Sequence, residues 1–223
     1  MLRAPTLHSL RRSRYLFLLL ALVVLLLVSP FLDNSRAHEV YFIVLFALVM
    51  LSAVRIASKQ RSHRIVALGL GVPWLALSLS GLVWQHTGFT IGTNLLFVIF
   101  NSYVLGIVLG NVVSAVDVDF DILLGAASVY LLIGIIWTVT YSVIHQLQPG
   151  SFSVIPGEAR PFFHQFLYFS LTTLTTLGYG DITPLSPFAQ IWSTLEAVVG
   201  TLYIALLVAR LVGMYQSQRS RPR

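Results

Sequence analysis

The residue pattern best suited to binding a ligand is Thr176-Leu177-Gly178-Tyr179-Gly180-Asp181. Its two glycines flank one tyrosine, and glycine adopts backbone conformations that a Cβ atom forbids. Such conformations let successive carbonyl oxygens point toward one side of the chain. Because a column of carbonyl oxygens can replace the hydration shell of a cation, the pattern predicts a site for a dehydrated cation.

The surroundings of this pattern indicate where it lies. It follows a hydroxyl-rich run, 170–175, that is too short to cross a bilayer, and it stands between two longer apolar stretches. Non-helical backbone at membrane depth is tolerated only where protein covers it or water solvates it. The sequence therefore predicts a re-entrant loop beside a polar path. For Gly-Tyr-Gly alone a tight turn is an equal alternative, and the longer match in its context disfavours that alternative.

The pattern resembles the potassium channel filter Thr-Val-Gly-Tyr-Gly, with Leu177 in place of valine. The resemblance implies that the carbonyls of Thr176, Leu177, Gly178 and Tyr179 bind K⁺, with the Thr176 hydroxyl closing the inner end. It places the Leu177 side chain away from the axis, where it alters packing behind the filter. One loop cannot surround an axis, so the resemblance implies a homotetramer. Permeant K⁺ is expected in place of any cofactor.

Composition restricts the class of protein. Of the 223 residues, 57% are hydrophobic and 10% are charged, which is typical of a membrane protein and excludes a soluble enzyme. The absence of cysteine excludes disulfides and thiolate catalysis. The expected partners are further copies of the chain, the lipid bilayer and K⁺, with neither an enzymatic activity nor a nucleic acid.

Six stretches are long and apolar enough to cross a hydrocarbon core of about 30 Å. They are residues 15–32, 40–57, 65–84, 91–113, 122–146 and 188–212. The predicted fold class is an all-α membrane protein with six transmembrane helices and a re-entrant pore helix and filter loop between the fifth and sixth. Pro161 suits the first turn of that pore helix, predicted at 162–175.

Charge distribution predicts the orientation. Twelve of the fourteen Lys and Arg fall into three clusters, at the N-terminus, around 55–64 and from 210 onward. If both termini are cytoplasmic, all three clusters lie inside, as the positive-inside rule requires. We therefore expect a multi-pass protein of the plasma membrane. The first span has an alternative interpretation as a cleaved signal peptide.

The predicted division of the chain follows from these spans. It comprises a basic N-terminus at 1–14, a four-helix sensor-like domain at 15–113, an acidic linker at 114–121, a pore domain at 122–212 with the filter at 176–181, and a basic tail at 213–223. The fourth span has no Lys or Arg, so it lacks the gating charges of a voltage sensor. Because the tail is short, we do not expect a cytoplasmic ligand-binding domain after it. The linker acids either attract cations or serve as solvated helix-terminal acids.

Two aromatic residues are candidates to support the filter. Tyr168 and Phe169 match the positions of the paired tryptophans that brace the filter in many potassium channels. We predict that the Tyr168 hydroxyl bonds Asp181; the alternative is two aromatics that only pack a helix interface.

An acid inside the last span is a second support candidate. Glu196 lies near the depth of the filter, and an intramembrane acid is a functional hypothesis by default. Some potassium channels have a bracing acid on the pore helix where this chain has Thr172. We predict that Glu196 takes over part of that role by bonding a hydroxyl such as Thr172 or Thr173; the alternative is a protonated acid in a helix contact.

The last span also contains candidates for gating. Gly200 follows Asp181 by nineteen residues, the spacing of the family's hinge glycine, although glycine equally marks close helix packing. Thr201, Ile204, Val208 and Val212 share one helix face and are predicted to line the inner cavity. Val208 and Val212 are candidates for a hydrophobic gate.

The sequence thus predicts a potassium-selective channel that is not gated by charges on its fourth span. The alternative from another class is a non-conducting regulatory or scaffold subunit of a channel assembly. A coupled cation transporter is disfavoured, because this chain has one pore-loop unit and such transporters need several.

Overall fold

A computed structural model describes residues 14–29, 36–56, 61–82, 87–116, 119–153 and 162–220. In this part of the chain there are seven helices, namely α1 (Leu16–Val28), α2 (Arg36–Ile56), α3 (Arg61–Gly81), α4 (Thr87–Val113), α5 (Phe120–Leu147), α6 (Phe162–Leu174) and α7 (Pro187–Ser220). Each predicted span and the predicted pore helix coincide with a helix. The described residues are thus all-α, as predicted, apart from one isolated bridge between Phe152 and Pro184.

Four of these helices, α3, α4, α5 and α7, are long and apolar enough to cross a membrane. The thirteen residues of α1 extend about 20 Å, less than a hydrocarbon core of about 30 Å. Helix α2 has 21 residues, Arg36–Ile56, and includes the apolar stretch Ile43–Ile56. The structure therefore supports a multi-pass membrane protein and four of the six predicted spans.

Helix α5 is the centre of the fold. It begins where the Asp119 side chain accepts a hydrogen bond of 2.8 Å from the Ile122 N–H, an N-cap that satisfies one of the free amides of the first turn. From there α5 packs against α1, α4, α6 and α7. Helix α1 lies in the same core, with Leu18, Leu22 and Leu25 fully buried.

The linker before α5 has helix-terminal contacts. The Asp121 carboxylate accepts hydrogen bonds from the N–H groups of Arg14 and Tyr15 at the start of α1, at 3.0 and 3.3 Å. Arg210 on α7 donates to the Ala115 carbonyl at 2.9 Å. These contacts favour the interpretation of the linker acids as helix-terminal groups. Asp117, the remaining linker acid, lies outside the described residues.

The chain leaves α5 and returns to α7 at the same end of the bundle. Ser153 N–H donates to the Thr183 carbonyl at 2.9 Å, and Leu185 N–H donates to the Ser151 carbonyl at 2.7 Å. These bonds join the segment that follows α5 to the segment that precedes α7. Helix α6 and the loop after it therefore lie, in chain order, between two segments that are joined at one end of the bundle.

Contacts of α6 show how deep it reaches. A Cβ built on Gly134 of α5 would lie 3.0 Å from Leu171, and one built on Gly200 of α7 would collide with Leu174. Gly134 lies thirteen residues before Leu147, the C-terminal end of α5, and Gly200 lies thirteen residues after Pro187, the N-terminal end of α7. Both of these ends are on the side of the bundle where the two segments are joined. At 1.5 Å per residue, the C-terminal end of α6 lies about 20 Å below that end.

Most helix boundaries differ from the predictions by a few residues, and two of these differences concern the predicted pore helix and the predicted tail. Helix α6 ends at Leu174, one residue earlier than predicted, because the Thr176 N–H donates to the Thr173 carbonyl and the Leu177 N–H donates to the Thr172 carbonyl, which turns the chain into the loop. Helix α7 continues to Ser220, so 213–220 of the predicted tail is helical. Met, Gln and Arg, which occur there, are good helix formers.

Candidate functional site

Backbone φ angles alternate in sign along 176–180. Thr176, Gly178 and Gly180 have φ of +58°, +51° and +83°, whereas Leu177 and Tyr179 between them do not have positive φ. Where left-handed and right-handed residues alternate, successive N–H groups point to one side of the chain, so the carbonyls point to the other. The loop therefore has the conformation that a column of carbonyl oxygens requires.

Hydrogen bonds show that the side of the loop with the N–H groups is the side toward α6. The N–H groups of Leu177 and Gly178 both donate to the Thr172 carbonyl, at 2.8 and 3.1 Å, and the Thr176 N–H donates to the Thr173 carbonyl at 2.9 Å. The amides of Thr176, Leu177 and Gly178 thus face α6. The carbonyls of 176–179 accept no hydrogen bond from the described residues, and these residues are exposed on the single chain.

Thr176 is strained. A β-branched residue at positive φ is an outlier and costs on the order of 1–3 kcal/mol. Sequence reasoning assigned the conformational freedom of the loop to its glycines and did not identify Thr176 as left-handed. The only signal in the sequence is the every-second-residue spacing from Gly180 back through Gly178 to position 176.

Thr172 contacts the loop through its backbone. Its carbonyl holds Leu177 and Gly178, while its own hydroxyl donates to the Phe169 carbonyl at 3.0 Å within α6. The position predicted to support the filter therefore lies behind it, and the supporting atom is one that every residue type provides. A threonine at this position can therefore contact the loop without an acidic side chain.

Tyr168 contacts the outer part of the loop twice. Its hydroxyl donates to the Asp181 carboxylate at 2.8 Å, and its ring stacks on Tyr179 with centroids 6.3 Å apart and an interplanar angle of 2°. This hydrogen bond lowers the pKa of the Asp181 carboxyl from its ordinary 3.8 and raises the pKa of Tyr168. The stabilisation from a lowered carboxyl pKa is present above the ordinary value and is lost as pH falls through the lowered one.

Tyr168→Phe should therefore destabilise the outer loop at neutral pH. The ring can still stack on Tyr179, but Asp181 loses its donor. For the potassium path that the sequence predicts, we therefore expect flux through reconstituted protein to decay several-fold faster. The wild-type protein should show no change in decay between external pH 5 and 8, since Asp181 stays ionised there.

A matched control for Tyr168→Phe is Tyr41→Phe. Tyr41 likewise donates its hydroxyl to an oxygen, the Val24 carbonyl at 2.9 Å, but it lies on α2 and far from the loop in sequence. Equal decay rates in Tyr168→Phe and Tyr41→Phe would show that the bond to Asp181 has no role in holding the loop.

Phe169 has a different position from Tyr168. It is buried, and its ring lies 5.0 Å from Tyr141 and 5.5 Å from Phe152. These rings belong to a small core that also contains Phe166 and Ile182. Phe169 thus packs α6 against α5 and has no ring contact with the loop itself. Of the two predicted braces, Tyr168 contacts the loop and Phe169 lies in the core between α5 and α6.

Glu196 is fully buried and bonds a hydroxyl of α6, which is that of Ser170 and not that of Thr172 or Thr173, the two examples named from the sequence. Its Oε1 lies 2.5 Å from Ser170 Oγ, and its Oε2 accepts from Tyr141 Oη at 2.5 Å. Thr172 donates instead within its own helix. Ser170, two residues earlier than Thr172, lies on the face of α6 that meets both α5 and α7.

Gly200 is a packing glycine in this structure. It is buried in an uninterrupted α7, and a Cβ there would meet the Leu174 backbone and lie 2.9 Å from Leu174 Cδ1. A hinge at Gly200 stays a prediction. The predicted cavity-lining residues Thr201, Ile204, Val208 and Val212 are all exposed on the single chain.

Comparison with known proteins agrees with this arrangement. Residues 129–217 match a family model described as "Ion channel". The match begins within α5 and ends within α7, so it contains α6, the loop and both helices that hold them. The matched family transports ions and does not catalyse a reaction, which agrees with the prediction that the chain is not an enzyme.

Three known proteins match stretches of 64, 72 and 90 residues of this chain. The chain is 38% identical over 64 residues to "Two pore potassium channel c" of Oryza sativa subsp. japonica, covering 29% of this chain and 14% of the relative. It is 43% identical over 72 residues to "Potassium voltage-gated channel protein shk-1" of Caenorhabditis elegans, covering 32% and 12%.

A third relative is bacterial. The chain is 29% identical over 90 residues to "Inward rectifier potassium channel Kirbac3.1" of Paramagnetospirillum magnetotacticum, covering 39% of this chain and 27% of the relative. This chain therefore matches less than a third of the length of each of these relatives. No solved structure matches it.

Proposed function

We propose that this protein is a potassium-selective channel, in which four copies place their 176–181 loops around one axis in the plasma membrane, with both termini cytoplasmic. The observation that carries the proposal is the alternation of φ along 176–180 together with amides that are bonded back to α6. It leaves the carbonyls of Thr176 to Tyr179 as a row of oxygens, which can replace the hydration shell of K⁺.

Membrane depth supports the presence of further copies. The loop begins at the deep end of α6, about 20 Å below the end of the bundle, and unpaired carbonyls at such depth cannot face lipid. Leu177 and Tyr179 are 56% and 68% exposed on the single chain. Copies arranged about an axis cover these side chains and give the carbonyls an ion-filled path.

The direction of α6 adds an electrostatic contribution. Its C-terminal end, the negative end of the helix dipole, lies deep in the bundle, where it favours a cation. The last carbonyls are also satisfied, since Thr175 N–H donates to Leu171 and Tyr130 Oη donates to Leu174. The end of α6 can therefore lie at that depth without unpaired backbone groups.

Voltage is not the expected stimulus. Helix α4 carries no Lys or Arg along Thr87–Val113, and a helix without charge does no electrical work in the membrane field. We therefore expect potassium currents without the steep voltage dependence of sensor-gated channels.

Reconstitution in potassium-loaded vesicles tests the proposal. We expect K⁺ efflux that greatly exceeds Na⁺ efflux from protein whose mass in detergent is that of a tetramer. Absent flux from a verified tetramer would contradict the channel and favour a non-conducting subunit. Equal K⁺ and Na⁺ flux would contradict selectivity.

A further inference from the structure

Glu196 is part of a chain of hydrogen bonds that joins three helices. Tyr141 Oη on α5 donates to Glu196 Oε2, and Glu196 Oε1 lies 2.5 Å from Ser170 Oγ on α6. Ser170 Oγ in turn lies 2.7 Å from the Gly134 carbonyl oxygen on α5. Glu196, Ser170 and Tyr141 are all fully buried.

The number of available hydrogens decides which group donates in each of these bonds. A serine hydroxyl has one hydrogen, a backbone carbonyl has none, and an ionised carboxylate has none. If Glu196 were ionised, the single hydrogen of Ser170 would have to serve both Glu196 Oε1 and the Gly134 oxygen. One of two short oxygen–oxygen contacts would then lack a proton.

A protonated Glu196 removes the conflict. Its hydroxyl donates to Ser170, which is then free to donate to Gly134, while Tyr141 donates to the other carboxyl oxygen. No Lys, Arg or His in the described ranges forms an ion pair with Glu196. A buried carboxylate without a cation costs several kcal/mol, and such a group takes up a proton instead.

The chain of bonds is adjacent to the other contact between α6 and α7. Ser170 and Leu174 are four residues apart on α6, and their partners Glu196 and Gly200 are four residues apart on α7. Two successive turns of one helix therefore pack on two successive turns of the other. The upper contact is a hydrogen bond and the lower one is a close backbone approach.

We propose that Glu196 is a positioning residue that works as a neutral carboxylic acid, whose proton completes the chain Glu196–Ser170–Gly134 and fixes α6 at its depth behind the loop. The effect on ion passage rests on the proposed function. The protonation state of Glu196 does not rest on the proposed function, because it is inferred from the hydrogen-bond contacts alone.

Infrared difference spectroscopy of the intact protein in vesicles tests the protonation state. The spectrum of wild-type protein minus that of Glu196→Gln at neutral pH should show the carbonyl stretch of a protonated carboxylic acid. A difference spectrum that shows the carboxylate stretch in its place would overturn the proposal. Glutamine is suited to this comparison because its amide can donate to Ser170 and its oxygen can accept from Tyr141.

Flux measurements test the positioning role. Ser170→Ala and Glu196→Leu leave buried polar groups without partners, so we expect about tenfold lower potassium flux from each. Glu196→Gln should recover most of the flux that Glu196→Leu loses. Ser128→Ala is the matched control, because Ser128 is a buried serine that bonds only within α5, to the Leu124 carbonyl at 2.8 Å.

The outcomes separate the two proposals. If Glu196→Gln loses as much flux as Glu196→Leu, the neutral acid is wrong and the channel stands. If wild-type vesicles show no flux but the acid band is present and Ser170→Ala lowers the melting temperature more than Ser128→Ala does, the positioning role stands and the proposed function is wrong.

Discussion

Gly178→Ala is expected to abolish selective potassium flux while leaving the helices folded. Gly178 has φ +51°, and a Cβ there would meet nothing within 4 Å on the single chain. The expected loss therefore arises from the backbone. An L-residue in the left-handed region costs about 1–2 kcal/mol.

The loop gives the backbone little freedom to escape this cost. Gly178 N–H is held by the Thr172 carbonyl at 3.1 Å, so a change of φ to a negative value must rotate the neighbouring peptides. That rotation would turn a carbonyl away from the row. About 1.4 kcal/mol corresponds to a factor of ten, and in a tetramer the cost applies to every copy.

Potassium and sodium efflux from vesicles measures this effect. The matched control is Gly92→Ala on α4, where an added Cβ also meets nothing within 4 Å but the glycine is helical and has no positive φ. Gly92→Ala should behave as wild type. Selective flux that survives in Gly178→Ala would show that the carbonyl row is not the path of the ion.

The sequence predicted the parts of the fold that depend on local pattern. Long apolar runs gave the positions of α3, α4, α5 and α7, and the Gly-Tyr-Gly spacing located the loop. These features follow from composition and from the absence of a Cβ, both of which can be read one segment at a time.

Relations between helices were beyond the sequence. Ser170, Thr172 and Thr173 are all hydroxyl residues near one end of α6, and only the rotation of α6 against α7 selects Ser170 as the partner of Glu196. The supporting role of Thr172 was equally hidden, because the carbonyl that holds the loop belongs to the backbone and leaves no trace in residue type.

Gly200→Ala is the substitution expected to act most strongly on the position of α6. Its Cβ would collide with the carbonyl of Leu174, the last residue of α6, and backbone cannot move aside as a flexible side chain can. Overpacking a core costs about 1–3 kcal/mol, occasionally more. The relief available is a shift of α6, which also carries the Thr172 carbonyl that holds Leu177 and Gly178.

We therefore expect Gly200→Ala to lower the melting temperature by several degrees and to reduce potassium over sodium selectivity. Gly213→Ala is the control on the same helix, since a Cβ at Gly213 meets nothing within 4 Å. A hinge predicts a different result. Loss of helix flexibility at Gly200 would change how often the pore opens but would leave melting temperature and selectivity as in Gly213→Ala. Packing and hinge are thus distinguished by whether selectivity changes, because only a displaced α6 reaches the loop.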